Sequence, residues 1–99
     1  MARKPLLPPL EGKIQKSILE YLRSVPRCWA VKILSANERG VPDIVCCCRG
    51  RFYGFEVKAQ GGKATAIQDY QGEAIGYAGG VYRVVRSKDE VRAVLGEVV

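Results

Sequence analysis

The chain has 99 residues, enough for one small domain with a single core. A net charge of +6 fits a polyanionic partner without establishing one, and no apolar run approaches the roughly 18 residues that span a membrane. Histidine is absent, which excludes His-based triads, His–zinc sites and a histidine general base.

Residues 1–9 read as a flexible N-terminal arm carrying Pro5, Pro8 and Pro9, with no apolar signal region after the first charges. A helix is expected from about Leu10 to Ser24, with Ile14, Ile18, Leu19, Tyr21 and Leu22 as its apolar positions. On a helical wheel Glu11 falls between Ile18 and Leu22, with Gln15 one turn below. A carboxylate in that stripe needs compensation, unless it lies in an exposed first turn and complements the helix dipole. Both readings stay open from the pattern. Val25-Pro26-Arg27 ends the helix, and 29–34 alternates as a strand. Residues 35–40 form a polar loop.

Residues 41–58 read as a hairpin. Gly40-Val41-Pro42-Asp43 leads into the apolar run Ile44-Val45-Cys46-Cys47-Cys48, and Arg49-Gly50 turns the chain back toward Phe55-Glu56-Val57-Lys58. A two-residue loop pairs Cys48 with Arg51 and sets Asp43 opposite Glu56, with Lys58 on the same face. Directly opposed carboxylates repel, so two acids and an ammonium on an apolar hairpin suggest a divalent cation held by oxygen. A three-residue loop would pair Asp43 with Val57 and turn Asp43 to the other face. A surface hairpin with scattered charges also fits the spacing.

Cys46, Cys47 and Cys48 are consecutive, unlike zinc spacing, and with Cys28 they read as reduced, buried small hydrophobes. Such usage suits a reducing, intracellular (cytoplasmic) compartment. Residues 59–64 form a flexible loop. Thr65-x-x-Gln68 resembles a capping box opening a second helix that ends at Gly79-Gly80, with Gly72 and Gly76 inviting close packing within it. Residues 81–86 read as a strand. Ser87-x-x-Glu90 opens a short last helix through Val91, Val94 and Leu95. The order is αβββαβα, an α/β fold in one domain over 10–99.

Helix-borne Glu11, the Gly40-Val41-Pro42-Asp43 segment, Glu56-Val57-Lys58 and then Gln68 resemble the PD-(D/E)xK nuclease superfamily. Within it they are most similar to the virus-type replication–repair nuclease (VRR-NUC) domain, over nearly the whole chain from Glu11 to about Val94. The resemblance implies a restriction-endonuclease-like αβββαβ core with a short C-terminal helix. It implies Asp43, Glu56, the Val57 carbonyl and Glu11 around Mg²⁺ or Mn²⁺, with Lys58 acting on the attacking water and the phosphate. Gln15 and Gln68 are implied as supporting residues, Gln68 more weakly because capping accounts for it. The activity implied is endonucleolytic cleavage of DNA leaving a 5′-phosphate and a 3′-hydroxyl, on branched DNA such as a Holliday junction, by a homodimer. Arg3, Lys4, Lys13, Lys16, Arg39, Lys63 and Lys88 are the candidate DNA-backbone contacts. A catalytically silent nucleic-acid-binding module of the same fold is the alternative. The glycine-bearing face of the second helix, with Tyr70, Ala74 and Tyr77, offers a dimer surface, although intradomain packing is the expectation for the tyrosines.

Overall fold

The structure, a computed structural model, describes residues 9–97. Of the expected arm only Pro9 falls within that range, and Arg3 and Lys4 lie outside it. Seven elements follow in chain order: α1 (Glu11–Ser24), β1 (Cys28–Lys32), β2 (Ile44–Cys48), β3 (Arg51–Val57), α2 (Ala66–Tyr77), β4 (Val81–Val85) and α3 (Lys88–Leu95). This is the αβββαβα order expected from the pattern.

The four strands form one mixed sheet in the order β1-β2-β3-β4. The first three are antiparallel neighbours, and β4 joins β3 in parallel after α2 has crossed over. The β2–β3 turn is the two-residue loop: Cys48 pairs with Arg51, and Arg49 and Gly50 both have positive φ, 51° and 81°. That combination is the hairpin turn whose twist matches the strands it joins. Register is thereby set down to the Ile44–Phe55 pair, and the three-residue alternative does not occur.

One face of the sheet carries the main core. Ile14, Ile18 and Leu22 of α1 and Val91, Val94 and Leu95 of α3 pack with Ile44, Cys46, Cys48, Tyr53, Phe55 and Val57. The other face receives α2 over β3 and β4. Being central and covered on both sides, β3 is buried continuously from Tyr53 to Val57. A Cβ on Gly54 would stand 2.7 Å from the Pro42 ring. The bare backbone there lets the segment before β2 lie flat on the sheet.

Four expectations need correction. The first strand is Cys28–Lys32, not 29–34: its partner β2 begins at Ile44, so only one further bond forms, from Ile33 N–H to the Asp43 carbonyl at 2.8 Å, and Leu34 is exposed. Cys47 is exposed, because alternation turns it away from buried Cys46 and Cys48; all four cysteines are free thiols. Tyr70 and Tyr77 do not pack inside the domain but are exposed, Tyr77 at 97%. Of the paired glycines, only Gly72 meets another element, the Tyr82 ring, while Gly76 faces open space. Among the described residues no helix is long and apolar enough to cross a membrane.

Candidate active site

Ile44 and Phe55 are wholly buried on the α1 side. Strand alternation therefore turns their neighbours, Asp43 and Glu56, to the opposite face. Asp43 Oδ2 accepts a 2.8 Å hydrogen bond from Val57 N–H, which fixes its carboxylate across the end of the β2–β3 ladder. Glu56 is the one buried charged residue among those described, only 1% exposed.

Two groups hold one oxygen of Glu56. Gln68 Nε2 donates to Oε2 at 2.9 Å, and Lys58 Nζ, two residues along the same strand face, stands 3.5 Å from it. The other oxygen, Oε1, is buried and has no partner among the described residues. Burial first, and the Asp43 carboxylate second, push the Glu56 carboxyl up to about 7, against a smaller opposing pull from Lys58. A buried acid with one oxygen orphaned and a like charge beside it is an unsatisfied arrangement.

Gln68 does two jobs. Its Oε1 accepts from Thr65 N–H at 2.9 Å while Thr65 Oγ1 accepts from Gln68 N–H, so the capping box is complete. That leaves Nε2 free to reach Glu56. Capping orients the amide for the site, and the two roles do not compete.

Glu11 and Gln15 come from a different element. Both are half-buried on α1, which packs on the other face. The polar partners of Asp43 and Glu56 come from β3 and α2. Among the described residues no three His, Cys, Asp or Glu side chains gather as a metal-binding group.

Two residues that the sequence pattern did not single out belong to the neighbourhood. The Tyr82 hydroxyl is buried without a partner among the described residues. Burial first, then the charges of Glu56, Asp69 and Asp43, raise it to about 12. Arg86 reaches from the end of β4 to the turn after Lys58. Its Nη1 donates to the Ala59 carbonyl and its Nη2 to the Gly62 carbonyl, both at 2.7 Å. Tyr82 and Arg86 become neighbours of the hairpin only through the parallel β3–β4 pairing, which no local pattern announces.

The donor set fits a hard divalent cation. Asp43 and Glu56 offer neighbouring carboxylates, with one Glu56 oxygen buried and unpaired, and among the described residues no cysteine gathers with them, nor has the chain any histidine, to favour zinc. Two carboxylates are also the usual protein share of a Mg²⁺ site that completes itself with water and substrate phosphate.

Together the mixed sheet, the α2 crossover and the acid pair at the β2–β3 ladder end define a small α/β domain with a polar site at one edge of the hairpin. No family model matches the chain, and no curated protein matches it. Solved structures do. A structure titled "VRR_NUC domain" superposes with a TM-score of 0.75 at 24% identity, covering 90% of this chain and 97% of that one. A "VRR_NUC domain protein" gives 0.71 at 17% identity, covering 90% and 87%. The chain has the VRR_NUC fold, as the resemblance implied.

Proposed function

We propose that the chain is a divalent-metal-dependent deoxyribonuclease that hydrolyses phosphodiester bonds, acting on branched DNA such as a Holliday junction as a homodimer. The observation that carries this reading is Glu56: a buried carboxylate with one oxygen unpaired, beside a second carboxylate and an ammonium. The fold shared with VRR_NUC structures supports it, and so does the +6 charge.

In this reading Asp43 and Glu56 hold Mg²⁺ or Mn²⁺, with the Val57 carbonyl as a further oxygen. A bound cation supplies Lewis-acid stabilisation of charge on the phosphate and lowers the pKa of water. Gln68 holds Glu56 Oε2 and so keeps Oε1 for the cation. Lys58, only 14% exposed, presents its ammonium to the attacking water and to the phosphate oxygens. Glu11, from α1, approaches the cation directly or through water, and Gln15 is a supporting residue. Lys13, Lys16, Arg39, Lys63 and Lys88 are all exposed and free to meet backbone phosphates. The exposed face of α2, with Tyr70 and Tyr77, is the surface proposed for the second copy.

The test is cleavage of linear, flap and four-way-junction DNA with Mg²⁺ or Mn²⁺, with and without chelator. Chelator-sensitive cleavage that prefers the junction is expected. Cleavage that survives chelation, or survives both Asp43→Asn and Glu56→Gln, overturns the reading. One rival is a DNA-binding module of the same fold without catalysis. Junction binding with no nicking at any divalent-ion concentration would establish that rival. Lys58→Met is expected to lower the turnover rate by about a hundredfold or more.

A further inference from the structure

A second groove, about 420 Å³, opens where the starts of α1 and α3 meet the end of β4. Lys13 and Ser17 line it from α1, Arg86 and Ser87 from the strand end, and Lys88 and Asp89 from α3. The three cations come from three different elements and form no ion pair among the described residues. The one acid is already neutralised, since Asp89 Oδ1 binds Arg92 Nη1 at 2.7 Å. The Ser87 Oγ accepts from Glu90 N–H, which leaves its own proton to donate outward. Pro9 and Ile14 give the groove an apolar floor, and Lys13, Arg86 and Lys88 bring three positive charges to it.

Arg86 ties this groove to the candidate active site. The same guanidinium that lines it holds the carbonyls of Ala59 and Gly62, which close a tight turn through a 3.0 Å bond from Gly62 N–H to Ala59 O. Lys58 precedes that turn and Lys63 follows it. Two donors of the planar fork are spent on neutral carbonyls and the guanidinium forms no ion pair among the described residues, while the Glu90 carboxylate accepts from the Arg86 backbone N–H at 2.9 Å. We propose that this groove is a nucleic-acid backbone subsite: it takes phosphates of the same strand whose scissile phosphate lies at Glu56 and Lys58. The inference rests on the nuclease reading and adds where the strand runs beyond the site. Charge complementarity selects the occupant, because a polyanion alone satisfies three cations contributed from three directions.

The experiment measures binding of a short labelled DNA duplex by fluorescence anisotropy. It uses the Asp43→Asn chain without divalent ions, over a series of salt concentrations. Lys13→Glu with Lys88→Glu is compared with Arg23→Glu with Arg27→Glu, which makes the same change in net charge at the far end of α1. Both Lys13 and Lys88 are exposed, so the fold should survive, and a thermal melt checks it. The groove pair is expected to weaken binding about tenfold or more beyond the control and to lower the salt slope by about two. Equal weakening by the two pairs overturns the subsite, because the charge would then act diffusely. If the parent chain binds no DNA at any salt, the nuclease reading falls and the subsite with it.

Discussion

Glu56→Gln is expected to abolish cleavage, by about a thousandfold or more, while making the metal-free protein more stable. The opposite signs follow from one cause. Burial and Asp43 raise the Glu56 carboxyl from an ordinary 4.5 to about 7 in the folded chain. Below the unfolded value both states are protonated and the group costs nothing. Between the two values the folded state binds more protons, so stability falls as pH rises. Above about 7 the penalty is constant, on the order of 3 kcal/mol for a shift of this size. In chelated buffer the melting temperature of the parent should therefore drop between pH 5 and pH 8. Glutamine keeps the shape, can still accept from Gln68 Nε2, and removes the titration, so its melting curve should lack that drop. Adding Mg²⁺ or Mn²⁺ at pH 8 should restore the parent, because a ligand that binds only the folded state stabilises it. It should leave the Glu56→Gln chain unmoved. A parent whose stability is flat across this range would show that Glu56 is not held under strain. Cation-independent melting would remove the reason for pairing it with Asp43.

The hairpin was legible because its signals are local. Arg49-Gly50 selects the turn, the turn selects the register, and alternation then sets Asp43, Glu56 and Lys58 on one face. Thr65 and Gln68 were legible as a cap for the same reason, four residues of chain being enough to specify it. What Gln68 does with its other amide atom was not, because Glu56 lies 12 residues away and meets it only once α2 has folded over β3. Glu11 marks a limit of local signals. Its place in the apolar stripe is visible on a helical wheel, but a wheel does not say which face of the sheet the helix will cover. Tyr70 and Tyr77 were misjudged: an aromatic on a helix promises packing, but α2 packs on β3, β4 and the loop at 38–40 through other positions, which leaves both tyrosines in solvent.

Gly72→Ala and Gly76→Ala, four residues apart on α2, are expected to move stability in opposite directions. A Cβ on Gly72 would stand 2.4 Å from Tyr82 Cδ2 and 2.5 Å from Cε2. These are atoms of a planar ring braced on β4, so the helix or the ring must shift by an ångström or more. Overpacking of this kind costs roughly 1–3 kcal/mol or more, against which alanine returns about 1 kcal/mol of helix propensity. The melting temperature of the Gly72→Ala chain should fall by about 5–10 °C. At Gly76 no atom lies within 4 Å of the added methyl, so the propensity gain stands alone and the melting temperature should rise by about 5 °C. The functional consequence separates this from a simple packing defect. Moving α2 off β4 also withdraws Gln68 from Glu56, whose Oε2 then keeps only the Lys58 contact. Gly72→Ala should therefore lose cleavage at temperatures where it remains folded. Combining it with Tyr82→Leu, which trims the ring that the methyl strikes, should recover stability beyond the sum of the two single changes. If the two changes simply add, the helix is not seated on that ring, and the placement of Gln68 would need another explanation.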